Sequence, residues 1–125
     1  MPYGQLFVIS APSGAGKTSL IAAAIESITD LAVSISHTTR DPRSGEKDGR
    51  DYHFVSTSEF QKLIESEALF EHAEVFSNFY GTSRRAVEAQ LTSGIDVILE
   101  IDWQGAAQVR QIAPEAVSIF TDSKI

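Results

Sequence analysis

Ala11-Pro12-Ser13-Gly14-Ala15-Gly16-Lys17-Thr18 lies between the apolar run Leu6-Phe7-Val8-Ile9 and a segment with apolar residues at Leu20, Ile21, Ala24 and Ile25. The run reads as a strand buried on both faces, and the spacing that follows as one face of a helix. A Gly-rich loop joining such a strand to such a helix makes a cradle for phosphate. The first N–H groups of the helix lack intrahelical acceptors and carry the positive end of its dipole. Lys17 would reach the terminal phosphates, and the Thr18 hydroxyl would sit on Mg2+. The strict form of this pattern has Gly where this chain has Ala11. Pro12 drives residue 11 to extended angles with negative φ, which Ala adopts freely, so glycine is not needed there. For Gly-Ala-Gly-Lys alone, the plain alternative is a solvated lysine on a turn; the flanking strand and helix argue against it.

The chain has 125 residues, one domain by length, and 42% hydrophobic residues, enough for a packed core. Its net charge of −7 argues against non-specific nucleic-acid binding, which depends on many phosphate-neutralising cations. Without cysteine there is neither disulfide nor thiolate metal site. Met1-Pro2-Tyr3-Gly4-Gln5 does not begin a secretory signal, and the longest apolar run, Leu20 to Ile25, is too short to span a bilayer. The expectation is a soluble cytoplasmic protein with no membrane and no nucleic-acid partner.

Strands are expected at Gln5–Ser10, Ala32–His37, Tyr52–Val55, Leu69–Phe76, Ile95–Asp102 and Ala116–Phe120. Helices are expected at Lys17–Ser27, after Thr57 or Ser58 (with a Ser58/Gln61 capping box), from Thr82 or Ser83 to a stop at Gly94, and at Gln104–Ile112 before Pro114. Alternating strands and helices imply a parallel sheet flanked by helices. Glu100 and Asp102, two apart, would share a face while their strand continues. His37, His53 and His72 show no metal-ligand spacing and read as structural or exposed; Trp103 reads as a packing residue.

The loop Arg40 to Asp51 carries Arg40, Arg43, Lys47 and Arg50 against Asp41, Glu46, Asp48 and Asp51, so its charges cancel. That balance suits a solvated loop. Yet Pro42 stiffens the segment between Arg40 and Arg43, two forks matched to phosphate oxygens.

Here the residues resemble a known family. Ser36-His37-Thr38-Thr39-Arg40-Asp41-Pro42-Arg43, Gly49-Arg50-Asp51-Tyr52-His53-Phe54-Val55, Phe79-Tyr80-Gly81-Thr82 and Glu100-Ile101-Asp102-Trp103-Gln104-Gly105 are similar, in order and spacing, to motifs of bacterial guanylate kinases. Ala11 to Lys17 fits as well, and the likeness runs from about residue 4 to about residue 120. It implies an α/β fold: a P-loop NTPase-type parallel sheet flanked by helices, with an inserted smaller mixed α/β region. Residues 1–34 and 83–125 would form the core, and 35–82 the GMP-binding region. The implied reaction transfers the γ-phosphoryl group of ATP to GMP with Mg2+.

The resemblance also implies roles. Lys17, Arg40 and Arg43 would be catalytic, and residues 11–18 (Ala11, Pro12, Ser13, Gly14, Ala15, Gly16, Lys17 and Thr18) would hold ATP. Ser36, Arg40, Arg43, Tyr52 and Tyr80 would hold the phosphate of GMP; Glu71, Thr82 and Asp102 would read guanine. Thr18 would bind Mg2+, with Glu100 ordering the ion through water, since Mg2+ keeps several waters. The guanine assignment has a chemical basis. Guanine offers N1–H and N2–H2 as adjacent donors, which an acceptor-only carboxylate takes, whereas adenine N1 is an acceptor that it repels. Members of the family are longer and continue into a lid with arginines. The alternatives are therefore a catalytically impaired fragment, a binding module keeping GMP or phosphopeptide binding, or another P-loop monophosphate kinase.

Overall fold

The computed structural model describes residues 3–10 and 17–120. They form β1 (Leu6–Ser10), α1 (Lys17–Ser27), β2 (Leu31–Val33), β3 (His37–Thr38), β4 (His53–Phe54), α2 (Thr57–Glu65), β5 (Leu69–Val75), β6 (Asn78–Ser83), α3 (Arg84–Thr92), β7 (Asp96–Glu100), α4 (Trp103–Ile112) and β8 (Val117–Phe120). The chain divides into two compact units, Met1–Ser34 with Val87–Ile125, and Ile35–Ala86.

In the first unit the strands run parallel in the order β2-β7-β1-β8. On one face Phe7, Ile9, Leu31, Val33 and Ile98 pack with Ile21 and Ile25 of α1. From the other face Val8, Val97 and Leu99 are equally buried. A parallel sheet covered on both sides needs the continuous apolar runs this sequence supplies. α3 ends as the sequence predicts at Gly94, whose φ is +86. The Gly94 N–H donates to Leu91 O at 3.0 Å and the Ile95 N–H to Gln90 O at 3.1 Å, the paired bonds of a Schellman stop.

In the second unit the order is β4-β3-β6-β5, with β3 and β4 parallel and the other pairs antiparallel. The expected strand Ala32–His37 is in fact two short strands in different sheets. Ser34 N–H still donates to Ile98 O at 2.9 Å, and the chain then changes unit before β3. Alternation shows that a segment is extended, not where it exchanges one partner for another. β6 has no counterpart among the expected strands, and Thr82, read as a possible helix start, lies inside it. Ser83 caps instead, its Oγ accepting the Ala86 N–H at 3.2 Å. β5 and β6 join through Phe76 and Ser77, both at positive φ (49° and 69°), as a two-residue I′ hairpin requires.

The cap of α2 is Ser56, not Thr57 or Ser58. Ser56 Oγ accepts the Glu59 N–H at 3.1 Å, and Glu59 Oε1 accepts the Ser56 N–H at 3.4 Å. The Ser56/Glu59 box wins over Ser58/Gln61 because an anionic carboxylate at the third position also complements the helix dipole. We expect Ser56→Ala to lose about 1 kcal/mol of stability, with Ser58→Ala near neutral, in urea melts.

Candidate functional site

The sheet of the second unit has two unlike faces. α2 sets Phe60 on one of them, where its ring stacks on Phe79 with centroids 5.4 Å apart. Gly81 lies under that ring: a Cβ there would stand 3.0 Å from Phe60 Cζ and 3.1 Å from Leu69 Cδ1. Side chains alternate across a sheet, so Tyr80 and Thr82 face the opposite way. Their register partners share that face: Thr38 and Ala73 beside Tyr80, and Glu71 beside Thr82.

Glu71 reaches this face through an irregularity. Leu69 pairs with Ser83 but Glu71 with Thr82, so β5 has one extra residue at Phe70. In an unbroken strand Leu69 and Glu71 would share a face; the bulge sends Leu69 to the core and turns Glu71 over. Phe70 itself is buried, with the Arg84 guanidinium 5.7 Å from its ring.

The same face carries an aromatic and cationic cluster. Tyr52 and Tyr80 have ring centroids 6.0 Å apart, and the Arg40 guanidinium lies 5.2 Å from the Tyr52 ring. Buried Thr38 fixes the approach: its Oγ1 donates to Phe79 O at 2.9 Å and accepts the Arg40 N–H at 3.2 Å. Ser36 lies two residues before Thr38, and its carbonyl accepts the His53 N–H at 2.8 Å. Arg43 is exposed. Ser36, Arg40, Tyr52, Glu71, Tyr80 and Thr82 therefore share one sheet face and the loop leading from it. Asp102 belongs to the other unit.

Glu46 and Thr38 are site-organising residues that the sequence reading passed over. Glu46 forms a two-bond ion pair with Arg40, Nη1 to Oε1 and Nη2 to Oε2, each at 3.0 Å. The pair raises the Arg40 pKa, with hydrogen bonds to Tyr80 and Tyr52 adding to it and partial burial opposing. Arg40 in turn holds Glu46 at about 2, helped by the Arg43 backbone N–H. The signal in the sequence was Gly45 beside Glu46, marking a turn that brings the carboxylate back toward Arg40. Charge cancellation in the loop is thus specific pairing, Arg40 with Glu46 and Arg50 with Asp51.

On the face of the sheet away from this cluster, His37 and His53 are register partners with ring centroids 4.7 Å apart. Burial first, and then His53, lower the His37 pKa, while Asp48 opposes. The unfolded chain therefore binds a proton more readily than the native one, so stability falls as pH drops below 6.5. Glu46 acts in the same direction at lower pH. Its stabilisation is present above 4.5 and lost as pH falls toward about 2. Urea midpoints should fall in two acid steps, and His37→Gln should remove the upper one alone; a midpoint flat from pH 7 to 5 would contradict this.

In the first unit, α1 opens at Lys17 directly after the Gly-rich loop, as expected. Ala11, Pro12, Ser13, Gly14, Ala15 and Gly16, and the side chains of Lys17 and Thr18, lie outside the described residues. Glu100 closes β7 beside Ile9 of β1 and is half-buried. The strand stops there, so Glu100 and Asp102 do not continue one strand face. Asp102 instead caps α4, with Oδ1 accepting the Gly105 N–H at 2.8 Å. Trp103, expected to pack, is the first residue of α4 and is 68% exposed, while the buried stripe runs through Ala106 and Val109. Among the described residues no helix is long and apolar enough to cross a membrane.

A family model described as guanylate kinase matches residues 3–124. The chain belongs to the guanylate kinase family. It is 58% identical over 119 residues to the guanylate kinase of Saccharophagus degradans, covering 95% of this chain and 58% of that protein. It is 61% identical over 117 residues to that of Chromohalobacter salexigens, covering 94% of this chain and 54% of the relative. Its structure is similar to a crystal structure of guanylate kinase from Anaplasma phagocytophilum: TM-score 0.73, 38% identity, 98% of this chain and 61% of that one. The fold of this guanylate kinase family member is thus the α/β P-loop NTPase type, a helix-flanked parallel sheet with a second mixed sheet. The chain spans little more than half the length of the curated relatives it matches.

Proposed function

We propose that this chain carries the phosphate loop and the acceptor site of an enzyme that transfers the γ-phosphoryl group of ATP to GMP, giving ADP and GDP. Residues 35–86 would bind GMP, and residues 1–34 with 87–125 would bind ATP. The observation carrying this is the shared face of the second sheet, where Arg40, Tyr52 and Tyr80 cluster and Glu71 pairs in register with Thr82.

Each group has work suited to its chemistry. Arg40 and Arg43 neutralise the acceptor phosphate so that a second anion can approach, and the Tyr52 and Tyr80 hydroxyls, with that of Ser36, hydrogen-bond its oxygens. Glu71 accepts from guanine N1–H and N2–H2, with Thr82 beside it. Asp102 uses one carboxylate oxygen as a helix cap, and its second retains acceptor capacity for the base. Residues 11–16 and Lys17 bind the phosphates of ATP, and Lys17 supplies charge to the moving phosphoryl group. In-line placement of the two nucleotides is most of what this reaction asks of a protein.

Mg2+ is implied by the family. Among the described residues no group of three or more His, Asp or Glu could hold an ion alone. Glu100, at the end of β7 beside β1, provides an oxygen donor of the kind Mg2+ accepts, and Thr18 would be the second. That donor set fits an ion that keeps its waters and binds mainly through nucleotide phosphates. When bound it would supply positive charge to the phosphates of ATP.

The test is ADP release measured with GMP, AMP and UMP offered in parallel. GMP alone should support release. Equal release with AMP or UMP would refute the acceptor assignment, and GMP binding without release would favour a binding module.

A further inference from the structure

Glu46 ties together the two arginines of the loop, Arg40 and Arg43. Besides gripping both Arg40 nitrogens, its Oε1 accepts the Arg43 backbone N–H at 2.7 Å. Its own N–H donates to Arg43 O at 3.0 Å, closing a tight turn in which Gly45 takes φ +83. That φ favours glycine, which adopts it without a Cβ penalty, so the turn and the grip are set by the sequence together. One carboxylate oxygen is thus shared between the Arg40 guanidinium and the Arg43 main chain. The Arg40 side chain is 11% exposed and that of Glu46 21%, so solvent screens the pair only partly. The fork occupies one edge of the guanidinium, and Nη1 also donates to Asp41 O at 3.0 Å. The Arg43 guanidinium makes no hydrogen bond or ion pair with the described residues. Arg40 is therefore immobilised before any ligand arrives, and Arg43 is left available with its main chain fixed.

We propose that Glu46 is the positioning residue of the monophosphate subsite: it locks the Arg40 guanidinium against Tyr52 and pins the Arg43 main chain, so that Arg40 meets the ligand phosphate already placed. This rests on the reading of residues 35–86 as a nucleoside monophosphate site. Arginine carries large rotamer freedom, and a group ordered in advance loses less on binding. The negative charge of Glu46 beside Arg40 opposes loose capture of other anions, so placement of Arg40, not net charge, would set selectivity for the phosphate.

Calorimetric titration of the 125-residue chain with GMP and with guanosine tests this, because guanosine has the base and lacks the phosphate. Glu46→Gln keeps one acceptor oxygen and the shape but loses the charge and the two-bond fork. It should weaken GMP by about tenfold or more, while guanosine affinity stays within about twofold. Arg40→Ala should also weaken GMP, and adding Glu46→Gln to it should change little further, since Glu46 acts largely through Arg40. Glu46→Gln binding GMP as the unaltered chain does, equal loss of GMP and guanosine, or fully additive losses in the double variant would each overturn the proposal. If the unaltered chain binds guanosine and GMP equally, the monophosphate site itself is refuted, and this role falls with it. Unaltered binding that favours GMP, with Glu46→Gln silent, refutes the role of Glu46 alone.

Discussion

Truncating Phe60 to alanine should cost about 3–5 kcal/mol of folding stability, the usual loss for a fully buried aromatic ring. Phe60 is completely shielded from solvent, stacks on Phe79 and closes over Gly81. It is the buried residue of α2, so the ring is the chief apolar anchor of that helix on the second sheet. A domain of ordinary stability has only about 5–15 kcal/mol to lose. The variant should therefore show a markedly lower urea midpoint. A companion substitution makes the contact itself testable. In Gly81→Ala the new methyl would stand 3.0 Å from Phe60 Cζ and 3.0 Å from Glu71 O, so a neighbour must give way. With the ring gone one of the three close contacts, the third being Leu69 Cδ1 at 3.1 Å, disappears, and Gly81→Ala should cost less in the Phe60→Ala background. Coupling of about 0.5–3 kcal/mol is typical for residues in contact. Strict additivity, or a Phe60→Ala loss below about 1 kcal/mol, would mean that the ring does not sit over Gly81.

The elements that sequence made legible are those whose environment is uniform along their length. β1 and β7 are buried on both faces and show unbroken apolar runs, while α1 and α4 show helical spacing and α4 ends before Pro114 as expected. The second sheet was harder, because its strands are short and take their order from long-range pairing. β6, with Gly81 in its middle, resembled no strand until Phe60 explained the glycine. The site residues were visible as residue types, and their convergence was not. Glu71 lies in an alternating segment whose parity reverses at Phe70, a reversal no period-2 pattern reveals. Asp102 shows the opposite difficulty: an acid ending a strand suits a ligand and suits a helix cap, and both uses favour the same residue at the same place. Glu46 was hidden by addition, since counting loop charges to zero removes the geometry that makes one pair specific.

Glu71→Gln should weaken GMP by about 100-fold and leave ATP affinity within about twofold. A carboxylate facing guanine N1–H and N2–H2 accepts two charge-assisted bonds, each worth about 1.5–3 kcal/mol. Glutamine keeps one acceptor oxygen but replaces the other with an NH2 group, which would set donor against donor at one of the two positions. The change is nearly isosteric, and Glu71 is half-buried on the face opposite Phe60, so the core contacts of β5 through Leu69 and Phe70 stay in place. Inosine monophosphate separates base reading from phosphate binding, because it keeps the phosphate and N1–H but lacks the N2 amino group. The unaltered chain should prefer GMP to inosine monophosphate, and Glu71→Gln should narrow that preference. Calorimetry with GMP, inosine monophosphate and ATP checks both points. Equal weakening of GMP and ATP would indicate lost folding, and an unchanged preference for GMP would show that another group reads the guanine edge. The second outcome would also remove the reason for the bulge at Phe70, whose consequence is to bring Glu71 onto the same face as Tyr80 and Thr82.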